Sequence, residues 1–480
     1  MSTSPTDHEN LPKKILKALG VFGGMQGILI LCSLIRVKLI AIFIGSEGVG
    51  LYAIFNNTIE MFRELTQLNI QQSAVRDVAR HSTRSYVSAM AYIVTRWTWL
   101  LGVAGAFLLL VCSPFLSRYC FDSDDYTLSF AILSAVVFMQ AIQTGWLILM
   151  QGTEKLVKLA KSQLWGAVIA ICLCAPMFYL WGINSIIPSL LVYASTNLAT
   201  TFFFRVHLPD PQPKPDRKEV MDRGKSFVKL GIFLTISTFS ALLADFIFKS
   251  WLNVTASTAM VGFYTAGFTI VNRYVGMIFT AISVEYYPRL SRIIHSKDDV
   301  FNHVNQEISI ALLVLTPLIV FFIPLSGFIV NILYSSEFLI IIPFISVAMI
   351  GTLYRAISWC LAYVILAKGD GRTYVVVELL SATTFLVLSI LTYKYFGIKA
   401  MGYAYTLWFM LYFAYTATAY RFRYGYALAS TTINLLILGS VLGAVSLVLV
   451  TYLHWIAGVV FAVAVSVPYT RRLIKVIRKG

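Results

Sequence analysis

The chain is short of charge. Of its 480 residues only 12% are Asp, Glu, Lys or Arg, about half the share of an ordinary soluble domain. That shortage excludes a water-soluble enzyme or scaffold of this length. Cysteine is scarce too: six residues (Cys32, Cys112, Cys120, Cys172, Cys174, Cys360), mostly inside apolar segments and without zinc-ligand spacing. They read as small core residues, with a pairing of Cys112 and Cys120 left open. Long hydrophilic segments are missing as well. There is no Walker motif and no soluble nucleotide-binding domain, which excludes direct use of ATP.

Apolar sequence fills the space. Hydrophobic residues make up 58% of the chain, and runs of 18 or more recur from one end to the other, each able to cross roughly 30 Å of hydrocarbon. The alternating ten-residue segments of a membrane β-barrel are absent. The start, "MSTSPTDHENLPKK", is polar, and the apolar stretch that follows is too long for a signal-peptide core, so it is expected to remain as helix 1. The runs predict fourteen helices, at 15–44, 49–75, 87–113, 128–151, 162–181, 183–206, 228–252, 260–285, 306–333, 338–366, 374–396, 400–420, 428–451 and 453–469.

Basic residues orient these spans. The two tails and the even-to-odd loops carry 27 of the 38 Lys and Arg residues, and the opposite loops only Arg118, Lys394 and Lys399. The positive-inside rule then places both termini in the cytoplasm. The net charge of +16 is explained by a cytoplasmic face meeting anionic membrane lipids, and calls for no nucleic-acid partner.

One hydrophilic insertion divides the chain. Prolines at 209, 211, 213 and 215 make "HLPDPQPKPDRKEVMDRGK" (207–225) a semi-rigid extended linker. The halves on either side repeat. "GVGLYAIF" (48–55) matches "MVGFYTAG" (260–267), pairing Tyr52 with Tyr264. "MQGTEK" (150–155) matches "AKGDGR" (367–372), and "YLWGI" (179–183) matches "KYFGI" (394–398), pairing Gly182 with Gly397. The expected organisation is an N-lobe of helices 1–6 (1–206), the linker (207–225), a C-lobe of helices 7–12 (226–423), and helices 13–14 with a basic tail (424–480). Six spans per copy give both copies the same orientation, as in parallel-repeat transporters with a cavity between lobes. The fold class is an all-α polytopic membrane protein.

Eight cations fall within or at the edge of spans: Arg36, Lys38, Arg63, Arg96, Lys229, Lys249, Arg273 and Arg355. Lys229 and Arg96 are within reach of a cytoplasmic end. The others need a reason, because a charge at the bilayer centre costs at least roughly 2.5–3.5 kcal/mol. Helix 2 aligns Asn56, Glu60, Arg63, Glu64, Gln67 and Gln71 in an arc of about 100°. Helix 7 aligns Gly231, Thr235, Thr238, Asp245 and Lys249, and helix 8 aligns Thr265, Thr269, Arg273, Gly276 and Thr280. Such stripes should face an aqueous cavity. Cations on several walls suit an anion, and arginine forks suit phosphate oxygens. Asp245 and Lys249, four residues apart, either neutralise each other or serve that cavity. Lys38 and Lys249 also have a snorkelling alternative. Arg36 and Lys38 lie about 200° apart on their helix, and Arg36, on the side of Gln26 and Ser33, is the better ligand candidate. His295 and His303 are assigned to a solvated loop, and Asp122, Asp124 and Asp125 to a solvated acidic turn rather than a metal cluster.

The "GSEGVGLYAIFNN" loop entering helix 2, "MQGTEK" and "AKGDGRT" give the chain its resemblance to a known family over most of 12–423. It resembles the multidrug/oligosaccharidyl-lipid/polysaccharide exporter superfamily, and within it the Wzx-type O-antigen flippases of the polysaccharide transporter family. Helices 13 and 14 depart from the twelve-span pattern of many such flippases. The resemblance implies a protein of the bacterial inner membrane that turns an undecaprenyl-pyrophosphate-linked oligosaccharide from the cytoplasmic to the outer leaflet by alternating access. Helices 1, 2, 7 and 8 would line its cavity. On that reading Arg36, Arg63, Arg273 and Arg355 hold pyrophosphate, Asn56 and Gln67 contact sugars, and Lys38, Glu60, Asp245 and Lys249 complete the candidate substrate site. No cofactor, metal or catalytic residue is expected, and the protein is read as a transporter, not an enzyme. A coupling ion (H⁺ or Na⁺, through Asp245 or Glu60) is an open partner, as are a polysaccharide polymerase and chain-length proteins. Two other readings stand beside it. A multidrug cation-coupled antiporter of the same superfamily should have an acidic or apolar cavity. A membrane polymerase or ligase usually needs a large external loop, and the longest here is "SRYCFDSDDY".

Overall fold

A computed structural model describes residues 6–79, 83–209, 211, 213–274, 276, 279, 286–287 and 289–477; side chains are described for these except 6–23, 72, 84, 226–231, 273–274 and 475–477. No strand occurs among the described residues. In lipid only a helix satisfies its backbone groups within one segment, and the apolar runs obey that rule. Ten helical segments among the described residues are long and apolar enough to cross a membrane, the longest, Leu156–Phe204, holding two helices. The chain is an all-helical, multi-pass membrane protein.

Two compact units form, one from residues 1–242 and 253–256, the other from 243–252 and 257–480. The first contains α1 (Thr6–Phe43), α2 (Ser46–Gln67), α3 (Ile70–Ala79), α4 (Arg84–Phe121), α5 (Thr127–Gly152), α6 (Leu156–Trp181) and α7 (Ile186–Phe204). Within it α4 packs on α5, α5 on α7, α7 on α6 and α6 on α1. Its buried core includes Ala74, Ile93, Val94 and Ile148. The long α8 (Arg217–Thr255) contributes to both units. The second unit continues with α9 (Thr258–Thr269), a π-turn (Ile270–Tyr274), α10 (Lys297–Leu333), α11 (Ile342–Ala367), α12 (Gly371–Phe396), α13 (Met401–Thr418), α14 (Ser430–Tyr452) and α15 (Trp455–Ile477). Here α13 packs between α11 and α12, and α10 against α11, α14 and α15.

Four local expectations change. The span expected at 49–75 breaks after Gln67, where Leu68 and Asn69 both take left-handed backbone (φ 49° and 50°), and α3 starts afresh. The side chain of Asn69 donates to Glu64 at 3.0 Å, a local bond that supports the turn. The second half of the expected extended linker is helical. The prolines end at 215, the charged residues after them are adequate helix formers, and α8 begins at Arg217. The Trp97 indole then donates to the carbonyl of Val220 at 2.7 Å, tying that helix to α4. The last helix runs through Pro468 to Ile477 instead of stopping at the proline. His303 is not a solvated loop residue. It lies in α10, 4% exposed, its ring 5.4 Å from that of Tyr286.

The repeated glycines Gly182 and Gly397 share a cause. Each ends a helix with positive φ, +52° and +70°, which a side chain would oppose. All six cysteines are free. In the acidic turn Arg118 chelates Asp124 at 2.7 and 2.9 Å, which holds that exposed carboxylate below its usual range, and no metal-ligand cluster occurs among the described residues.

The loop before α12 carries a sharper device. Asp370 caps α12 by accepting from the Thr373 backbone at 3.1 Å and hydroxyl at 2.8 Å, pairs with Arg423 and accepts from Tyr424 at 3.0 Å. Desolvation pushes its carboxyl up, but these donors together outweigh it and hold it at about 2. A depressed carboxylate contributes stability above its unfolded value of about 4, and that stability is lost as pH falls from there through about 2. Asp370→Ala is therefore expected to lower stability by about 1–2 kcal/mol near neutral pH. In thermal unfolding of the purified protein, the gap between wild type and variant should close towards pH 2. A gap that stays constant would refute the assignment.

Candidate functional site

In the first unit the site forms around Arg36. The guanidinium of this α1 residue lies 4.2 Å from the ring centroid of Tyr193 on α7 and 5.2 Å from that of Tyr52 on α2. Its Nε is buried and has no hydrogen-bond partner among the described residues. Among the described residues no ion pair involves Arg36. Two tyrosine faces thus hold the charge by cation–π attraction, worth up to about 2 kcal/mol each where desolvated. A polar line continues along α2, where the Tyr52 hydroxyl donates to Asn56 Oδ1 at 3.5 Å and Asn56 donates to Glu60 at 2.9 Å. These i,i+4 steps follow from helical spacing.

In the second unit the centre is Arg355 on α11. Its Nη1 donates to Asn272 Oδ1 at 2.8 Å, and lies 3.4 Å from the Asn272 carbonyl and 3.5 Å from the Tyr405 hydroxyl. Tyr405 donates to the same Asn272 oxygen at 3.2 Å. The guanidinium also faces the rings of Phe279 and Phe409 at 5.3 and 5.6 Å. Every hydrogen bond from Arg355 among the described residues runs through Nη1, and no ion pair there involves it. A guanidinium has five N–H donors in a fork, and Nε and Nη2 make no hydrogen bond among the described residues.

The other candidates divide. Asp245 and Lys249 form an ion pair at 2.6 Å, with side chains 18% and 10% exposed, and Tyr264 donates to Asp245 at 3.4 Å. The repeat-related tyrosines therefore both face a charge from the preceding long helix, Tyr52 a cation and Tyr264 an anion. Lys38 is half-buried on α1. Arg63 is half-buried beside Glu64 on α2. The backbone of Arg273 belongs to the π-turn, but its side chain lies outside the described residues, and Thr280 lies outside them altogether. Gln67 Nε2, Thr235 Oγ1 and Thr265 Oγ1 are buried without hydrogen-bond partners among the described residues. All three occupy the polar stripes on which the sequence placed a cavity, where a polar atom needs water or a guest.

Sequence spacing missed Tyr193, Asn272 and Tyr405. Tyr193 lies in the run "SLLVYAS" and Tyr405 among other aromatics in "GYAYTLWFMLY", and no charged stripe marks either. Asn272, next to Arg273 in "IVNRY", carried the only signal.

Comparison with known proteins agrees with this architecture. A family model described as "Polysaccharide biosynthesis protein" matches residues 36–343. The lipid III flippase of Escherichia coli (strain K12) is 22% identical over 390 residues, covering 78% of this chain and 91% of the relative. Among solved structures, the lipid II flippase MurJ in its inward closed conformation aligns with a TM-score of 0.66 at 13% identity, over 94% of this chain and 99% of that one. An inward-facing multidrug resistance MATE family transporter aligns with a TM-score of 0.63 at 12% identity, over 86% and 95%. The chain belongs to the polysaccharide biosynthesis protein family and has the fold of the MOP superfamily of transporters.

Proposed function

We propose that this protein is a flippase for an anionic lipid-linked oligosaccharide: an undecaprenyl-pyrophosphate carrier bearing an O-antigen unit or a related polysaccharide repeat. It turns this lipid from the inner to the outer leaflet of a bacterial plasma membrane by alternating access, with both termini in the cytoplasm. The observation that carries the reading is the pair Arg36 and Arg355, one in each unit, each in the membrane-spanning part and neither in an ion pair among the described residues. A cation within a membrane span is costly without a counter-ion, and a phosphate that arrives as substrate removes that cost. The name of the E. coli relative, lipid III flippase, supports the same substrate class.

The side chains divide the work. Tyr52 and Tyr193 fix Arg36 without neutralising it, and Asn272 holds one arm of Arg355 while the rest of the fork stays available. Arg63, Arg273 and Lys38 add cationic surface for the pyrophosphate, and Asn56, Glu60 and Gln67 hydrogen-bond sugar hydroxyls. The Asp245–Lys249 pair is internally neutral, and Asp245 links α8 to α9 by accepting from the Tyr264 hydroxyl. No covalent step is needed. Moving an anion out of a negative interior is downhill by roughly 2.3 kcal/mol per charge per 100 mV. An organic cation would meet an arginine without an ion-pair partner in either unit, which disfavours a multidrug substrate.

Arg36→Ala is expected to weaken binding of undecaprenyl pyrophosphate to the protein in nanodiscs about tenfold or more, the loss of a charge-assisted hydrogen bond. Arg36→Lys should recover only part, because an ammonium lacks the fork. Equal affinity for all three proteins would sink the anion-site reading.

A further inference from the structure

One intramembrane carboxylate, Glu378, forms no ion pair among the described residues. Asp245 pairs with Lys249, and Glu64 lies beside Arg63. Glu378 sits on α12, seven residues after Gly371 and so about 10 Å along the helix axis from its start. It lies within the candidate membrane span Gly371–Phe396. Its Oε1 accepts a 2.6 Å hydrogen bond from the Tyr412 hydroxyl on α13. No ion pair involves Glu378 among the described residues. A phenol donates a hydrogen bond but supplies no positive charge, so the carboxylate form stays uncompensated and the protonated form competes with it.

We propose that Glu378 is a proton-binding site within the membrane span, held by Tyr412 and loaded when an anion occupies Arg355. The second half of this statement rests on the anion reading of Arg355 given above. The step is a simple protonation: one proton from the aqueous phase forms an O–H bond on the carboxyl oxygen not held by Tyr412. The groups around the site support it. From α12 itself, Tyr374 lies one turn before Glu378 and interacts with it electrostatically. From α13 comes Tyr412. From α11 comes Arg355, whose charge acts on Tyr412. The two sites are near neighbours: the ring of Phe409 lies 5.6 Å from the Arg355 guanidinium and 6.2 Å from the Tyr412 ring. Asp370 and Arg372 mark the start of α12, and Lys399 lies in the turn after its far end, each more than a turn away in sequence.

The coupling has a definite sign. A bare Arg355 favours negative charge nearby and therefore the ionised Glu378. An anion on Arg355 cancels that field, so proton affinity at Glu378 rises. Linkage makes the effect mutual: a protonated Glu378 strengthens anion binding by the same factor. The site would neutralise part of the charge that the substrate brings.

The test uses the full-length protein in nanodiscs and reads the infrared carbonyl band of a protonated carboxyl between about pH 5 and about pH 9. Wild type should show a titrating band that Glu378→Gln lacks, the amide being close in shape and able to accept from Tyr412. Tyr412→Phe should move the midpoint to higher pH, since the anion loses its donor. Undecaprenyl pyrophosphate should also move the wild-type midpoint upward. A band unchanged in Glu378→Gln, or one that responds to sodium at fixed pH and not to pH, overturns the proton site. Undecaprenyl pyrophosphate that binds without moving the midpoint overturns the link to Arg355. Failure of this lipid to bind while Glu378 still titrates overturns the anion reading instead.

Discussion

Arg355→Ala is expected to slow flipping of a lipid-pyrophosphate glycan in proteoliposomes by about 10- to 100-fold, with protein abundance unchanged. Charge-assisted hydrogen bonds contribute about 1.5–3 kcal/mol each, and each 1.4 kcal/mol corresponds to about a factor of ten in rate. The side chain contacts Asn272, Tyr405, Phe279 and Phe409, and it forms no ion pair with a carboxylate among the described residues. Loss of structure should therefore be small beside loss of transport. Asn272→Ala offers the companion measurement. It frees Nη1 without removing the charge, so it should slow flipping less than Arg355→Ala does. Wild-type rates from Arg355→Ala at equal abundance would remove Arg355 from the site, and would weaken the case that the second unit contributes an anion ligand at all.

Breaking the Asp245–Lys249 pair should have the largest effect on stability. Asp245→Ala leaves a lysine that is 10% exposed without its 2.6 Å partner, and removing one member of a buried pair costs about 3–5 kcal/mol. Lys249→Met should cost a similar amount. The double variant should approach wild-type stability, because replacing both charges by apolar groups removes the desolvation penalty along with the attraction. Thermal unfolding of the four proteins in detergent measures this coupling directly. The functional counterpart follows: the double variant should still flip substrate if the pair only joins helices. A stable double variant that has lost transport would place Asp245 and Lys249 in the transport cycle. Two singles as stable as wild type would show that the pair is not desolvated.

The sequence was legible where a pattern is local. Apolar run length determined that the chain crosses the membrane many times as helices, because lipid leaves the backbone no other way to satisfy its N–H and C=O groups along a single segment. Spacing of four residues put Asp245 within reach of Lys249, one of the two readings the sequence left open for them, since residues one helical turn apart can meet. The glycines Gly182 and Gly397 marked helix ends that need positive φ. Prolines 209–215 marked the extended linker but did not say where it stops. The helical restart at Arg217 follows only from the last proline having passed.

Partners from distant helices were not legible. That Arg36 rests on Tyr193, 157 positions away, and that Arg355 is tethered by Asn272 depended on which helix faces pack together. A lone tyrosine in an apolar run gives no sign of which neighbour it will meet. Glu378 stayed unremarked for the same reason: its partner Tyr412 lies on the next helix, and no charge spacing announced it. His303 was misplaced because its loop-like surroundings hid a helix start at Lys297 that carries it into the core. The sequence by itself determined a polytopic helical protein whose membrane spans carry too many cations for a merely apolar role. Only the tertiary structure decided which of those cations are neutralised by a carboxylate and which are held by aromatic rings and amides. That choice is made by side chains brought together across helices, and helical periodicity reaches no further than one helix.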